Sequence, residues 1–412
     1  MDKKSSNNYF KKKQVRTLDD FYSLMRFTKN IRTEIVMSYL KESKADKNRI
    51  NSLKYAFDKL NNIKHESYNA CLSIDKKSEP VLFDLRYEEN ELYKDILFLT
   101  KGEEALYDHF NSIHPSFRKQ IEINLPKFKN LKFGNIFTDR DGTVNNYCGR
   151  YLSSVQSVYN AVFLTRFSRQ SVKNAVLLTS APLENGGMVD VCTMPHKEFI
   201  LSGSKGREYR DKEWNRGTFH IDSNQQNQID KLNSKIADVI KKPPYKKFSY
   251  IGSGFQQKFG QTTIARQDIS NSVPKEESLE FKFIIHKIVS DLDPENIIFR
   301  IEDTGLDIEI ILTISDPSAS YSVKDFDKGD GVSFLDQRLK LNMAKVTNLI
   351  CGDTSSDVPM LEVSLKKRDK TMGVFVTKDP KLQYRVRNVL PTAIFVDEPD
   401  ILVTLLNEIS KY

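Results

Sequence analysis

The chain has 412 residues, of which 39% are hydrophobic and 10% aromatic, and its formal net charge is +8 from 63 basic and 55 acidic side chains. This length allows about two or three domains with ordinary globular cores. No apolar run approaches the ~20 residues of a membrane-spanning helix, and the basic clusters do not alternate with aromatic residues as on a nucleic-acid-binding face. We therefore expect neither a membrane nor a nucleic-acid partner, whereas an anionic small-molecule substrate fits the modest positive charge.

The cysteines and the N-terminal residues indicate the cellular compartment of the protein. The four cysteines lack the spacing of a metal site, as expected for free thiols: Cys71, Cys148, Cys192 and Cys351. The lysine-rich segment 1–13 has no apolar stretch of the kind found in signal peptides. These features predict a cytoplasmic protein, and we expect residues 1–16 to form a disordered tail.

Residues 17–130 show the alternating three- and four-residue spacing of apolar side chains that is typical of amphipathic helices. Thr17 offers an N-cap with Asp20 as its capping-box partner, and Gly102 interrupts the later stripes. We predict a bundle of roughly two to four antiparallel helices, which is either an oligomerisation or docking module or a structural appendage. Because the bundle has apolar stripes of its own, we expect the remaining core to fold without residues 1–125.

From about residue 131 the pattern changes to apolar runs of four to six residues that alternate with helical stretches. This alternation is the signature of an α/β fold with a mainly parallel sheet. We assign residues 131–221 and 319–412 to this core. Residues 222–318 form an α+β insert between the two parts, and we expect the insert to be a cap over the site.

A strand end with two carboxylates occurs at 136–143, with the sequence IFTDRDGT. Extended backbone points Asp139 and Asp141 the same way, and open α/β sheets bind ligands at the carboxyl ends of their strands. Two crowded carboxylates are costly unless a cation lies between them or one is protonated. We predict Asp139 as nucleophile and Mg²⁺ ligand and Asp141 as proton shuttle and further ligand. The alternative is a strand followed by an ordinary Asp-Gly turn.

Three later segments supply the other groups that phosphoryl transfer requires. Ser180, preceded by Thr179, offers a hydroxyl at a strand end, and either of the two can fill this role. Lys328 places an ammonium at a helix start, where it would neutralise a phosphate. Asp353 and Asp357 follow another strand, spaced like one direct and one outer metal ligand. Hard oxygen ligands around a phosphate indicate Mg²⁺ as the cofactor rather than zinc.

In this order, the segments resemble the four motifs of the haloacid dehalogenase-like (HAD) phosphatases, which have a Rossmann-like core. The lysine lies beyond a long insert, as in members whose cap is inserted between the second and third motifs. Within that superfamily the chain resembles the trehalose-6-phosphate phosphatases through SKGREY at 204–209, FDKGDGVSFL at 326–335, GDTSSDVPML at 352–361 and FVDEPDILVTLL at 395–406. The helical domain ahead of the core resembles the nematode-type branch.

This resemblance implies a Mg²⁺-dependent phosphatase that releases trehalose from trehalose 6-phosphate through an aspartyl-phosphate on Asp139. The cap segment 251–268 departs from the usual lysine-histidine-arginine pattern of the family. We expect the substrate-binding residues to be Glu208 of the SKGREY segment and, in the cap, three side chains able to hydrogen-bond sugar hydroxyls: Lys258, Gln261 and Arg266.

Two other functions are compatible with the same residues. One is identical chemistry on another sugar phosphate, such as a sucrose, mannosyl-glycerate or glucosyl-glycerol phosphate. The other is a non-catalytic regulator whose helical bundle recruits a partner to a sugar-phosphate-binding fold. The combination of Asp139, Asp141, Lys328 and Asp353 argues against the regulator, because binding alone does not require a nucleophile and a proton shuttle.

Overall fold

The computed structural model of the chain describes residues 14–63, 65–66, 69–74, 80–315 and 323–412. Most of the predicted tail and the predicted end of the insert, residues 316–318, lie outside the described residues. None of the helices in the described ranges combines the length and the apolar character that a bilayer span requires.

Four helices make up most of the N-terminal region, and they span Leu18–Glu42, Lys47–Asn61, Arg86–Ile113 and Phe117–Asn124. The predicted capping box is confirmed, because the Thr17 hydroxyl accepts a hydrogen bond from the Asp20 amide at 3.2 Å and the Asp20 carboxylate accepts one from the Thr17 amide at 3.3 Å. Gly102 has a φ of 86° and breaks the helical geometry inside the third helix. The predicted interruption is therefore a kink within one long helix.

A small antiparallel sheet between the second and third helices was not predicted. Its strands pair in the order β1-β2-β3 and span His65–Glu66, Asn69–Ser73 and Pro80–Asp84. In β2 the side chains of Ala70 and Leu72 are buried on alternate positions, at 0% and 4% exposure. Two inward side chains give too short an alternation to distinguish a strand from a loop.

The central sheet of the described chain has eight strands in the order β16-β15-β14-β4-β5-β6-β7-β8. Their bounds are β4 Phe133–Asp139, β5 Val172–Leu178, β6 Ile200–Gly203, β7 Glu208–Arg210, β8 Arg216–Thr218, β14 Asn348–Gly352, β15 Thr371–Val376 and β16 Ile394–Val396. The strands from β16 to β6 run parallel, and β7 and β8 run antiparallel to their neighbours. The prediction of a mainly parallel α/β core is confirmed.

Helices cover both faces of this sheet, and β4 lies near its centre. Ile136 of β4 belongs to one apolar core, whereas the next residue, Phe137, belongs to the other. Both faces are buried, so the strands are continuous apolar runs rather than alternating ones. The first core includes the helices Val158–Ser171 and Pro399–Ile409, and the second includes Lys328–Leu339, Val358–Lys367 and Pro380–Val389. A short helix, Met188–Val191, lies between β5 and β6.

The predicted insert is an antiparallel sheet covered by two helices, Ser223–Ile240 and Lys275–Leu292. The sheet order is β11-β12-β10-β9, with β13 paired to β12, and the strands are β9 Phe255–Lys258, β10 Gln261–Ala265, β11 Phe299–Asp303, β12 Asp307–Ser315 and β13 Val323–Asp325. Ile264, Ile308 and Phe281 pack in a separate apolar core. Because β13 still pairs with β12, the cap sheet extends past the predicted boundary at 318.

The N-terminal helices do not have a core of their own. Their buried side chains belong to the same apolar cluster as the helices at 158–171 and 399–409. Phe98 packs edge-to-face on Phe163 with ring centroids 5.8 Å apart, and Phe110 packs on Tyr159 at 5.4 Å. The structure therefore argues against our expectation that the core folds without residues 1–125, because their removal would expose this shared apolar face to water.

Candidate active site

The predicted motifs meet at the carboxyl edge of the central sheet. Asp139 is the last residue of β4 and is 5% exposed. Thr138 pairs with Cys351 of β14, and Asp139 pairs with Leu178 of β5. The residues that follow these two neighbouring strands, which include the second and fourth motifs, therefore emerge beside Asp139.

Lys328 connects two of the motifs. It begins the helix 328–339, whose first turn is fixed because the Asp327 carboxylate accepts a hydrogen bond from the Asp330 amide at 2.9 Å. Its Nζ atom lies 2.6 Å from Oδ1 of Asp139 and 2.5 Å from Oδ1 of Asp357. Burial alone would lower the pKa of Lys328, but the two carboxylates raise it above its usual range. The ammonium is therefore charged and lies between the nucleophile candidate and the fourth motif.

Asp357 holds the fourth motif in shape. Its Oδ2 atom accepts hydrogen bonds from the backbone amides of Asp353 at 3.0 Å and Thr354 at 2.9 Å. Burial would raise the pKa of Asp357, but Lys328 and these amides keep it below its ordinary value. The Asp357 carboxylate is thus ionised and fixes Lys328 and the loop together.

Thr143 is a site residue that our sequence reasoning did not single out. Its hydroxyl donates to Oδ1 of Asp353 at 3.0 Å and lies 3.3 Å from Oδ2 of Asp139. The side chain is buried and bridges the first and fourth motifs. The threonine that ends the IFTDRDGT segment was the available signal for this role.

The carboxylates of Asp139, Asp353 and Asp357 could hold a metal ion, because each offers one oxygen and these oxygens lie within 4.8 Å of one another. Burial and the neighbouring carboxylates raise the pKa of Asp139 and Asp353, although Lys328 opposes the effect. One ammonium does not balance three crowded carboxylates. A divalent cation would relieve this repulsion, and an all-oxygen donor set suits Mg²⁺, so these residues fit the predicted cofactor.

The side chain of Asp141 lies outside that acidic cluster. Its carboxylate pairs with the guanidinium of Arg140 and accepts a hydrogen bond from the Ser154 hydroxyl at 3.1 Å. The prediction that Asp141 is a metal ligand therefore finds no support in the side-chain geometry, because Arg140 and Ser154 hold this carboxylate. The two aspartates have different surroundings, which suits their different predicted roles.

The second motif has two candidate hydroxyls after β5. Thr179 is buried, and its hydroxyl accepts a hydrogen bond from the Ala181 amide at 3.2 Å. Ser180 is more exposed, and its hydroxyl has no hydrogen-bond partner among the described residues. Ser180 is thus available to a phosphate oxygen, and its catalytic role stays a prediction.

Two of the predicted cap residues lie together. Lys258 and Gln261 face each other across the β9–β10 hairpin, and they are 6% and 2% exposed. Nε2 of Gln261 donates to Oε2 of Glu309 at 2.8 Å, and Nζ of Lys205 lies 3.6 Å from the same oxygen. Burial lowers the pKa of Lys258, whereas Glu309 acts in the opposite direction. We call Lys205, Lys258, Gln261 and Glu309 the cap cluster.

The cap cluster faces the core. Glu309 alternates in β12 with Ile308 and Ile310, which belong to the apolar core of the cap, so its side chain lies on the opposite face of the cap sheet. Lys205 belongs to the core segment before the cap, and the adjacent Ser204 hydroxyl accepts a hydrogen bond from the Phe259 amide at 2.9 Å. The polar face of the cap sheet therefore lies over the core.

Arg266 does not join the cap cluster, which corrects our prediction. Its Nε atom lies 2.8 Å from Oδ1 of Asp303, and its Nη1 atom donates to the Ser278 hydroxyl at 2.9 Å. Asp303 ends β11 and Ser278 lies in the helix 275–292, which covers the other face of the sheet. Arg266 therefore fastens the cap helix to its sheet.

Glu208 is also engaged in structural contacts. Its Oε1 atom accepts hydrogen bonds from the Leu183 amide at 3.0 Å and the Ser204 hydroxyl at 2.7 Å, and its Oε2 atom pairs with Arg216 at 3.1 Å. The residue is 4% exposed. The predicted contact of Glu208 with substrate is not supported, because the carboxylate already supports the segment that carries Lys205.

A central strand that ends in Asp139, with a lysine and two later aspartates converging on it below an inserted cap, defines a haloacid dehalogenase-like protein. The family model for the C-terminal part of trehalose-6-phosphate phosphatase matches residues 136–402, and the model for the N-terminal helical bundle domain of the same enzyme matches residues 17–117. The chain therefore belongs to the trehalose-6-phosphate phosphatase family, and the predicted resemblance is confirmed.

Several nematode proteins are similar to the chain. It is 30% identical to α,α-trehalose-phosphate synthase 1 of Aphelenchoides avenae over 97% of this chain and 36% of that protein. It is 28% identical to a trehalose-phosphatase of Brugia malayi over 96% of this chain and 86% of that protein. The chain thus spans only about a third of the length of the synthase. The solved trehalose-6-phosphate phosphatase of Aspergillus fumigatus, crystal form 2, shares 12% identity with a TM-score of 0.42 over 71% of this chain and 98% of that one.

Proposed function

We propose that the chain hydrolyses trehalose 6-phosphate to trehalose and phosphate. The observation that carries this proposal is the buried Lys328 ammonium, which lies 2.6 Å from the Asp139 carboxylate at the end of the central strand. Such an ammonium orients the nucleophile and neutralises charge that builds up on a transferring phosphoryl group. Membership of the trehalose-6-phosphate phosphatase family supports the choice of substrate.

The proposed reaction has two steps. A carboxylate oxygen of Asp139 attacks phosphorus, the bond from phosphorus to the sugar oxygen breaks, and Asp141 donates a proton to the departing oxygen. Water then attacks the aspartyl-phosphate and gives its proton to Asp141, which restores both carboxyl groups and releases phosphate. Lys328 binds Oδ1 of Asp139, and the Thr143 hydroxyl lies 3.3 Å from Oδ2, so the two groups orient the attacking carboxylate.

The proposed cofactor is Mg²⁺, held by Asp139, Asp353 and Asp357. When bound, it supplies positive charge that offsets the carboxylates and the substrate phosphate. Thr143 orients Asp353, and Lys328 orients Asp357, so both carboxylates are fixed before a metal arrives. Ser180 would donate its hydroxyl to a phosphate oxygen.

A phosphate-release screen tests the proposed function. We expect the purified chain to release phosphate from trehalose 6-phosphate faster than from sucrose, mannosyl-glycerate or glucosyl-glycerol phosphates. EDTA should abolish turnover, and added Mg²⁺ should restore it. Preference for another ester would correct the substrate, and failure to hydrolyse any of them with Mg²⁺ present would contradict phosphatase activity.

We further propose that the cap cluster recognises the sugar. The motifs at the sheet edge bind only phosphate and metal, so they cannot distinguish one sugar ester from another. The cap cluster offers two ammonium groups, an amide and a carboxylate, which together can donate hydrogen bonds to sugar hydroxyls and accept them. Such a pocket penalises ligands that leave its buried polar groups unpaired.

Substitutions in the cap cluster should separate sugar recognition from the chemical step. We expect Lys258→Met and Glu309→Gln each to lower kcat/KM for trehalose 6-phosphate by about tenfold to a hundredfold, while p-nitrophenyl phosphate hydrolysis changes little. Lys287→Met is the matched control, because Lys287 is exposed on the cap helix 275–292. Equal losses on both substrates would point to damage of the core, and no loss on either would remove these residues from the sugar site.

A further inference from the structure

Asn145 closes the loop that carries Asp141 by two backbone hydrogen bonds, and the Val144 amide adds a third to the Arg140 carbonyl at 3.1 Å. The Gly142 amide donates to the Asn145 carbonyl at 2.7 Å, and the Asn145 amide donates to the Arg140 carbonyl at 2.8 Å. Gly142 has a φ of 86°, which glycine adopts without strain. The position of Asp141 therefore depends on the position of Asn145.

The N-terminal helix 86–113 holds the side chain of Asn145. Nδ2 of Asn145 donates to the Tyr87 hydroxyl at 3.0 Å, and the Tyr87 hydroxyl lies 3.2 Å from the carbonyl oxygen of Val155, to which it can donate. Nδ2 of Asn145 also lies 3.2 Å from the hydroxyl of Ser154, which donates to Oδ1 of Asp141 at 3.1 Å. Asn145 and Ser154 are 2% and 1% exposed, so water does not compete for these hydrogen bonds.

The same helix is attached to the core at two further points after Tyr87. One turn after Tyr87, Oε1 of Glu91 accepts a hydrogen bond from Nδ2 of Asn146 at 3.2 Å. A turn further on, Oδ1 of Asp95 accepts one from the Val158 amide at 2.6 Å. The helix thus contacts both segments that hold Asp141, the loop at 140–146 and the segment at 154–158.

We propose that Tyr87 is a positioning residue for the proton transfer by Asp141, acting through Asn145 and Ser154. The proposal rests on the proposed phosphatase reaction. A general acid must lie within hydrogen-bond reach of the oxygen that it protonates, and small displacements lower the rate steeply. The N-terminal helical domain is then a part of the catalytic apparatus, not an appendage to it.

The leaving group of the substrate distinguishes this role from a merely structural one. A sugar alkoxide is a poor leaving group and requires protonation, whereas p-nitrophenolate departs without a proton. We expect Tyr87→Phe, which removes only the hydroxyl, to lower kcat/KM for trehalose 6-phosphate about tenfold, because kcat/KM reports the step in which the sugar oxygen leaves. For p-nitrophenyl phosphate kcat/KM should stay within about twofold of the wild type, since hydrolysis of the aspartyl-phosphate, which also uses Asp141, contributes to kcat but not to kcat/KM.

Tyr93→Phe is the matched control, because Tyr93 lies on the same helix and is 43% exposed. Tyr93→Phe should leave the hydrolysis rates of both substrates unchanged. Equal losses of kcat/KM for Tyr87→Phe on the two substrates, or no loss on trehalose 6-phosphate, would overturn the positioning role. If the wild type hydrolyses p-nitrophenyl phosphate but not trehalose 6-phosphate, the proposed substrate is wrong, and the alkyl phosphate that it hydrolyses best replaces it in the comparison.

A second variant covers the case in which Tyr87→Phe does not fold. Ser154→Ala removes the hydroxyl that donates to Asp141 and should show the same dependence on the leaving group. If both single variants fold, the double variant Tyr87→Phe/Ser154→Ala should lose little more activity on trehalose 6-phosphate than the more impaired single variant. The two residues act along one path, so their effects should not add. Fully additive losses, or a Ser154→Ala defect that is equal on both substrates, would contradict the proposal.

Discussion

Asp139→Asn is expected to lower phosphate release by more than about a thousandfold, because an amide cannot attack phosphorus. The substitution keeps the size of the side chain but removes the charge that pairs with Lys328 and would contribute to the metal site. Turnover of trehalose 6-phosphate with Mg²⁺ is the measurement, and acid quenching of the wild type should trap phosphate on Asp139. The variant should trap none.

The control for this experiment is Asp369→Asn, since Asp369 is an exposed aspartate of the same core. It should retain the activity of the wild type. Circular dichroism and thermal unfolding establish that Asp139→Asn is folded. Turnover near that of the wild type in folded Asp139→Asn would refute the aspartyl-phosphate mechanism.

Lys94→Met should lower the free energy of unfolding by about 3–5 kcal/mol, because it leaves buried carboxylates without their cation. Nζ of Lys94 lies 2.7 Å from Oε1 of Glu91 and 2.8 Å from Oδ2 of Asp400, and all three side chains are almost fully buried. Burial alone would lower the pKa of Lys94, but the two carboxylates raise it. This cluster joins the N-terminal helix 86–113 to the C-terminal helix 399–409.

Chemical denaturation at neutral pH measures this loss, and Lys101→Met, an exposed position on the same helix, is the control. Without the cation, burial raises the pKa of Asp400 in the folded variant, so protonation of this carboxylate favours the folded state. The deficit of Lys94→Met should therefore shrink as the pH falls from about 7 to about 5. A loss of unfolding free energy below about 1 kcal/mol at pH 7 would mean that the ion pairs of Lys94 add little to stability.

Three of the four motifs of the candidate site were predictable because each lies at the end of an apolar strand, whereas Lys328 begins a helix. The strand ends at 139, 178 and 352 determine which residues meet, and parallel strands bring their carboxyl ends to one edge. The alternative of an ordinary Asp-Gly turn after β4 is not supported, because Asp139 is bound by Lys328 from a segment far along the chain. The parallel sheet therefore brings motifs that are far apart in the chain together at one edge.

The cap residues were harder to predict, since a polar side chain in an antiparallel sheet can face either side. Arg266 follows β10, and its partner Asp303 is 37 positions away, so no local pattern shows that it is already paired. Glu309 lies between two isoleucines and looks like a solvent-facing residue of an amphipathic strand. Only the placement of the cap sheet over the core shows which polar side chains face the core.

The apolar stripes of residues 17–113 correctly predicted helices, but a stripe does not show which part of the protein packs against it. The same side chains that suggested a self-contained bundle pack against the helices at 158–171 and 399–409. The structure therefore favours the helical region as an integral part of the fold. Its predicted role in oligomerisation or docking stays a prediction.

The apolar core shared by the N-terminal helices and the phosphatase fold has a consequence for divergence within the family. The two family matches, residues 17–117 and 136–402, are separate in the sequence. In the structure, however, the side chains between the two parts belong to one buried apolar core. A chimaera that joins the helical part of one relative to the catalytic part of another would bring together faces that did not co-evolve. Viable recombinants should therefore carry the matching helices at 158–171 and 399–409 along with the N-terminal segment.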